Sequence, residues 1–162
     1  MSDEETIGRI LSANRLTIST VESCTGGLLS SKLTDVAGSS SYVRLNFVTY
    51  CNEAKHNILG VSNTTLNRFG AVSQECSIEM AQGLGNITGS DICISTTGTA
   101  GPSGADGHPA GVMYSTICGL NCQKSFAVNL PADTPRIRMK EKFAAAALKE
   151  LVKFLQSAGL SA

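Results

Sequence analysis

Short runs of β-branched residues alternate with helical patterns along this chain, and the alternation limits the folds that it can adopt. Strand-like runs cover residues 16–21, 43–50 and 91–97, with helical periodicity between them. Two more runs, at residues 112–118 and 125–130, predict a hairpin joined by the loop GLNCQ. This order favours an α/β fold with helices on both faces of a sheet, and the hairpin makes that sheet mixed.

Capping residues mark where the first and last helices begin. Ser2 followed by Glu5 forms a capping box for a helix over about residues 3–14. Pro135 begins a final long helix, which the run AAAAL strongly favours. The chain has 162 residues without an internal repeat or a linker, so we expect a single domain over residues 1–162.

The composition excludes some classes of function. Thirteen basic and thirteen acidic residues cancel, which disfavours nonspecific nucleic-acid binding. The six cysteines form no CxxC pair, and His56 and His108 lie far apart, so we expect no metal site. The acidic N-terminus lacks a signal-peptide pattern, and no apolar run is long enough to cross a membrane. We therefore expect a cytoplasmic protein with reduced thiols and no membrane partner.

The stretch TVESCTGG, residues 20–27, is the first candidate site. A strand ends within it and a helix begins near Thr25, so side chains 22–24 lie at the carboxyl edge of the sheet, where α/β proteins bind ligands. The helix aims unpaired N–H groups and the positive end of its dipole at the same place. Spacing alone leaves two interpretations open. Ser23 or Thr25 only caps the helix, or the turn holds a nucleophile, which is Ser23 or Cys24.

The second candidate is VTYCNEAK, residues 48–55, which also ends a strand and begins a helix. Lys55 can serve as the base for a serine if burial lowers its pKa, and otherwise it is a solvated surface residue. His56 could pair with the serine instead. On a helix it points about 100° away from Lys55, so the two do not face one site.

Two further segments could contact a ligand. The glycine-rich loop TTGTAGPSG, residues 96–104, follows a strand and could wrap a phosphate or sugar with its N–H groups. The basic run PRIRMK places Arg136 at a helix start, where its charge opposes the dipole and indicates an anionic partner. The alternative is a solvated basic face, which we favour for Arg138 and Lys142.

Together these segments resemble the CinA C-terminal domain family. The resemblance rests on VESCTGG, LTDVAGSSSY, FVTYCNEAK followed by ILGV, GAVSQE and TGTAGPSG, in the family's order and approximate spacing over about residues 5–155. It implies a three-layer α/β/α fold that hydrolyses the carboxamide of nicotinamide mononucleotide, without a metal or another cofactor. It also implies a homo-oligomer. Many members carry a larger N-terminal domain, so this chain resembles the stand-alone form.

The same resemblance implies roles for individual residues. The nucleophile falls on Ser23 and the base on Lys55, while Tyr50 and Thr97 would relay protons or orient the lysine. The substrate-binding positions would be Cys24, Thr25, Gly26, Gly27, Gly98, Gly101, Arg136 and Lys140. The phosphate would be held by the glycine loop together with Arg136 or Lys140.

The chain departs from the family pattern at a few positions, and these bear on substrate contacts rather than on the chemistry. Val21, Cys51 and the pair His108-Pro109 stand where the family usually has Ala, Ser and Lys-Pro. No role follows for Glu22. Two other functions stay open, a Cys24-dependent amidase and a nucleotide-binding or regulatory module without turnover.

Overall fold

Five strands form one mixed sheet in the computed structural model, which describes residues 1–162. The strands are β1 (Ile18–Glu22), β2 (Phe47–Val48), β3 (Ile92–Gly98), β4 (Val112–Gly119) and β5 (Cys122–Asn129). Their order across the sheet is β2-β1-β3-β4-β5. β1 runs parallel to β2 and β3, and β4 is antiparallel to both β3 and β5. The predicted mixed sheet is confirmed.

Two layers of helices cover the sheet. The helices are α1 (Asp3–Asn14), α2 (Leu28–Thr34), α3 (Asn52–Leu59), α4 (Asn63–Phe69), α5 (Gln74–Thr88) and α6 (Arg136–Ser157). Helices α1, α2 and α6 contact one another on one face, and α3 and α4 each contact α5 on the other. The three-layer α/β/α architecture is therefore confirmed. No helix combines the length and the apolar character that crossing a membrane requires.

Side-chain alternation along β3 divides the core between the two faces. Ile92 and Ile94 belong to the larger apolar cluster, under α1, α2 and α6. Cys93 points to the opposite face, into the smaller cluster that α3 and α5 cover. Buried apolar side chains thus lie on both faces of β3, and the ends of the parallel strands β1 and β3 are where such a sheet commonly places a ligand site.

The predicted strand over residues 43–50 is wrong in extent, because only Phe47 and Val48 pair as β2. The cause is Asn46, whose side-chain Oδ1 accepts the N–H of Thr20 at 3.0 Å. A side-chain oxygen thus replaces the backbone carbonyl that a longer strand would offer. The chain leaves the sheet soon afterwards and enters α3.

The predicted hairpin is confirmed, but its loop is shorter than GLNCQ. Gly119 pairs directly with Cys122, so the turn consists of Leu120 and Asn121 alone. Both have positive φ angles, 54° and 58°. Positive φ angles at both positions are typical of a two-residue hairpin turn, which usually contains glycine. Because neither residue is glycine, the sequence did not predict a turn this short.

Gly83 allows α5 to lie directly against the end of α3, the helix that carries Lys55. A Cβ atom at this position would lie 1.9 Å from the carbonyl oxygen of Leu59. We expect Gly83→Ala to lower the free energy of unfolding by about 1–3 kcal/mol, because the two helices must move apart. Urea unfolding followed by circular dichroism measures this change.

Gly85→Ala is the matched control on the same helix. The nearest atom to its added Cβ is Cys93 Sγ at 3.8 Å, an ordinary contact. Alanine favours a helix over glycine by about 1 kcal/mol, so this variant should be as stable as the parent or more so. Equal effects of the two substitutions would contradict the close approach at Gly83.

Candidate active site at the ends of β1, β2 and β3

Ser23 and Lys55 meet where the parallel strands end. Ser23 directly follows β1, and its N–H donates to the Thr96 carbonyl at 3.0 Å, which ties the turn to β3. Lys55 lies on α3 and is 1% exposed. Its Nζ is hydrogen-bonded to Ser23 Oγ at 3.0 Å and to the Thr49 carbonyl at 2.7 Å. The two residues that the sequence proposes as nucleophile and base are therefore in direct contact.

The segment between β2 and α3 explains how Lys55 reaches this position. Thr49 donates its N–H to the Glu22 carbonyl at 2.9 Å, which holds the segment against the end of β1. Cys51 then caps α3, since its Sγ accepts the N–H of Ala54 at 3.5 Å. The first turn of α3 thus begins beside the sheet edge, and Lys55 points back to it.

Burial lowers the pKa of Lys55, because the charged ammonium loses hydration. The four ion pairs of the protein involve other residues, so no carboxylate lies within ion-pair distance of Lys55 Nζ. Ionised Cys76, Cys51, Cys24 and Asp106 would raise the pKa of Lys55. Burial holds the pKa of both Cys24 and Cys76 at about 12, so these two thiols are neutral at pH 7 and do not oppose the shift.

Cys24 lies in the larger apolar cluster and is 5% exposed. Burial raises the pKa of its thiol to about 12. The thiol is therefore neutral at pH 7. The Lys55 amine contacts Ser23 rather than Cys24. Both observations favour Ser23 over Cys24 as a nucleophile.

Glu22 forms the N-terminal cap of α2. Its side chain is completely buried. The carboxylate accepts five hydrogen bonds: from Thr25 Oγ1 at 2.6 Å, Gly27 N at 3.2 Å, Leu29 N at 2.8 Å, Ser30 N at 2.9 Å and Ser30 Oγ at 2.6 Å. Local capping patterns reach about three residues, so this cap from outside the turn was missed in the sequence.

The expectation that Ser23 or Thr25 caps the helix is wrong. The cap position belongs to Gly27, which offers no side chain, and Thr25 donates its hydroxyl to Glu22. The hydroxyl of Ser23 contacts Lys55 instead. The helix therefore needs neither hydroxyl as a cap, and Ser23 Oγ is left to the lysine.

Few N–H groups of the turn remain unpaired. Gly26 donates to the Ser23 carbonyl at 3.0 Å, and Gly27 donates to Glu22 at 3.2 Å. Cys24 and Thr25 follow Ser23 directly, and their N–H groups have no acceptor within the protein. Of the backbone N–H groups from Cys24 to Gly27, only those of Cys24 and Thr25 are therefore free to bind a ligand.

A cavity of about 360 Å³ opens beside Ser23. Its wall includes Cys24, Tyr50, Arg136 and the glycine-rich loop from Gly98 to Ser103. The Arg136 guanidinium donates to the Gly101 carbonyl and to the Tyr50 hydroxyl, the latter at 2.9 Å. A cation and a polar loop thus lie in the same cavity as the serine.

Lys140 lies apart from that cavity. Its Nζ is near Gly26, and both residues line a second cavity of about 350 Å³ with Ile137 and Glu141. Arg136 and Lys140 stand one turn apart on α6, and the turn after β1 separates their cavities. Of the two cations that the resemblance assigns to a phosphate, only Arg136 shares a cavity with Ser23.

Tyr50 and Thr97 do not contact Lys55. Tyr50 is 60% exposed, and its hydroxyl accepts from Arg136. Thr97 Oγ1 donates to the Ala71 carbonyl at 2.7 Å. The group that orients the lysine amine in this structure is the Thr49 carbonyl, a backbone group that residue types do not reveal. A proton-relay role for Tyr50 or Thr97 remains a prediction.

Two other sequence candidates have structural places. His56 Nδ1 is paired with the Val61 carbonyl at 2.7 Å, so it does not compete for Ser23. Gly98 lies so close to β4 that a Cβ would be 2.3 Å from the Val112 carbonyl oxygen. No three His, Cys, Asp or Glu side chains converge as a metal ion would require.

Comparison with protein families and curated sequences places the chain among known proteins. The family described as CinA C-terminal domain matches residues 2–155. A CinA-like protein of Chlorobium limicola is 47% identical over 158 residues, which cover 94% of this chain and 37% of that protein. The chain thus spans about a third of the length of the curated relatives that it matches.

Solved structures give the same relationship. Competence damage-inducible protein A of Klebsiella pneumoniae is 31% identical with a TM-score of 0.90, over 96% of this chain and 98% of that one. The competence/damage inducible protein CihA of Agrobacterium tumefaciens is 35% identical with a TM-score of 0.86, over 93% and 94%. This chain belongs to the CinA C-terminal domain family.

Proposed function

We propose that this protein hydrolyses the carboxamide of nicotinamide mononucleotide to nicotinate mononucleotide and ammonia, with Ser23 as nucleophile and Lys55 as base. The observation that carries the proposal is the buried contact of 3.0 Å between Ser23 Oγ and Lys55 Nζ. The choice of a pyridine nucleotide rests on the family resemblance. A homo-oligomer and a cytoplasmic location remain predictions.

A neutral Lys55 has the geometry that a general base needs. An uncharged amine carries two hydrogens and one lone pair. One hydrogen is donated to the Thr49 carbonyl at 2.7 Å, which restricts rotation of the amine and leaves the lone pair for the Ser23 hydroxyl. Because burial lowers the pKa of Lys55, the neutral form is more accessible than for a solvated lysine.

In the first step, Ser23 Oγ attacks the amide carbon while its proton moves to Lys55 Nζ. The carbonyl oxygen becomes negatively charged, and the free N–H groups of Cys24 and Thr25 supply donors next to the nucleophile. The Lys55 ammonium then protonates the amide nitrogen, the C–N bond breaks and ammonia leaves. Ser23 is left as an ester.

Water completes the cycle. A water molecule gives a proton to neutral Lys55 as it attacks the ester carbon, and the returning proton restores the Ser23 hydroxyl. The product is a carboxylate. One amide and one water thus yield one carboxylate and one ammonium ion, without a redox step or an additional reactant.

The phosphate of the substrate has cationic and polar partners in the same cavity. Arg136 supplies a guanidinium, which binds phosphate oxygens well. The loop adds backbone N–H groups without acceptors in the protein, at the cavity residues Ala100, Gly101 and Ser103. Several free N–H groups in one loop favour an anion.

Variants of Ser23, Lys55 and Cys24 test the assignment of the nucleophile and the base. We expect Ser23→Ala and Lys55→Met each to lower kcat by about 10²-fold or more, because the first removes the nucleophile and the second removes the base. Cys24→Ala should keep kcat within about threefold if the thiol takes no part. Ammonia release from nicotinamide mononucleotide measures all three variants.

The result also separates the alternative functions. Loss of activity only in Cys24→Ala, or after thiol alkylation, would favour a Cys24-dependent amidase. Saturable binding of nicotinamide mononucleotide by calorimetry, without ammonia after long incubation of the parent protein, would favour a binding module instead.

The proposed role of Lys55 makes the activity depend on pH. Lys55 must be neutral to accept a proton, so kcat/KM should rise with pH as the lysine loses its charge. Since burial lowers the pKa of Lys55, the midpoint should lie below 10.5, the ordinary value for lysine. The residual activity of Lys55→Met should lack this rise. A rise that persists in Lys55→Met would assign the titration to another group.

Variants of Arg136 and Lys140 test which cation binds the phosphate. Arg136→Met should raise KM for nicotinamide mononucleotide by about 10–100-fold, because a charged hydrogen bond is lost, and should leave the turnover of nicotinamide riboside unchanged. Lys140→Met should alter KM by less than about threefold, because Lys140 lines the other cavity. The opposite pattern would move the phosphate to the Lys140 side.

A further inference from the structure

We propose that Glu22 is a positioning residue, which holds Ser23 and the free N–H groups of Cys24 and Thr25 in their reactive arrangement. This inference rests on the proposed function, because it assigns the residue that supports the same site. Glu22 touches neither the cavity nor Lys55, so it acts through its neighbours.

The hydrogen bonds of Glu22 match an ionised carboxylate. All five partners are donors, and they come from a short segment, residues 25–30. A completely buried charge is costly unless such partners compensate it. A neutral amide of the same shape would place an N–H group against one set of these donors. The turn is therefore built around a negative charge.

The carboxylate also fixes the direction of two hydroxyl chains. Thr25 gives its only hydroxyl proton to Glu22, so it must accept from Thr96 Oγ1 at 2.8 Å. Ser30 likewise donates to Glu22 and accepts from Thr20 Oγ1 at 2.6 Å. The chains connect Glu22 to β1, β3 and α2. Thr96 is also the residue whose carbonyl accepts the N–H of Ser23.

The backbone of Glu22 supports the base. Its carbonyl accepts the N–H of Thr49, and the Thr49 carbonyl accepts from Lys55 Nζ. The side chain of Glu22 thus orders the turn that carries the nucleophile, while its backbone orders the segment that holds the base. One residue connects both partners of the contact between Ser23 and Lys55.

Glu22 also determines which N–H groups remain free. It takes those of Gly27, Leu29 and Ser30, the groups that an external anion would bind at the start of α2. An anionic ligand therefore finds this helix end already neutralised. The donors that remain are those of Cys24 and Thr25, beside the nucleophile.

The test is Glu22→Gln, which keeps the size and removes the charge. We expect kcat for nicotinamide mononucleotide to fall by about 10–100-fold with KM within about threefold, as for a lost transition-state interaction. A fluorophosphonate probe, which reacts with activated serines, should label Ser23 more slowly by a similar factor. The labelling end point should still reach the parent value, because it counts folded molecules and the rate reports positioning.

Asp91→Asn is the matched control. Asp91 Oδ2 accepts the N–H and the hydroxyl of Thr17, both at 2.8 Å, next to the opposite end of β1. This variant also replaces a carboxylate with an amide, but Asp91 lies at the end of β1 opposite to Glu22 and Ser23. Both kcat and the labelling rate should stay within about twofold of the parent.

A second variant covers the case in which Glu22→Gln fails to fold. Ser30→Ala removes one donor to Glu22 Oε2 and leaves the carboxylate in place. It should slow the labelling of Ser23 by about 2–5-fold with an unchanged end point. A parent-like labelling rate in folded Glu22→Gln would overturn the inference, and so would a parent-like rate in Ser30→Ala if Glu22→Gln does not fold.

The labelling experiment also separates this inference from the proposed function. If the parent protein labels at Ser23 but releases no ammonia from nicotinamide mononucleotide, the substrate assignment fails. The comparison of labelling rates then still decides the role of Glu22. A rise in KM with unchanged kcat and labelling rate in Glu22→Gln would contradict a positioning role.

Discussion

A lysine buried without a counter-ion is the constraint on which the site depends. The side chain of Lys55 is 1% exposed, and its two hydrogen-bond partners are a hydroxyl and a backbone carbonyl, both uncharged. An ammonium in this place would lose hydration without gaining a carboxylate, so burial favours the neutral amine. The nearby thiols of Cys24 and Cys76 are themselves neutral at pH 7. Lys55 can therefore act as a base because no carboxylate pairs with it to stabilise the charged form.

The buried carboxylate in the same region makes this possible. Glu22 lies directly before Ser23, and an ion pair with Lys55 would favour the charged lysine, which cannot accept a proton. The Glu22 carboxylate instead accepts five hydrogen bonds from residues 25–30. Two buried ionisable groups of opposite charge therefore lie near each other in the fold and are satisfied separately. The Glu22 carboxylate bonds the start of α2, whereas Lys55 comes from α3, in the helix layer on the other face of the sheet.

Much of the fold follows from patterns in the sequence, and the differences have local causes. Alternation of strands and helices predicted the layers, and Pro135 predicted the start of α6. The extent of β2 could not be predicted, because the Asn46 side chain replaces a backbone acceptor. The tight turn at Leu120 and Asn121 was hidden because two residues without glycine adopt positive φ angles.

The site was predicted by residue type more completely than by geometry. The resemblance paired Ser23 with Lys55, and the structure brings the two side chains into contact. It could not give the role of Glu22, whose partners extend eight residues ahead, as far as Ser30. The Thr49 carbonyl was equally hidden, because the direction of a backbone group depends on how the chain leaves β2.

The hydrogen bond from Arg136 to the Gly101 carbonyl joins the last helix to the cavity, and this affects the order in which the site can form during synthesis. The nucleophile and the base come from the first third of the chain, whereas the arginine that closes the cavity begins the last helix. A ribosome adds residues from the N-terminus, and domains fold as units. The complete cavity therefore cannot form until the start of α6 has been synthesised, long after Ser23 and Lys55.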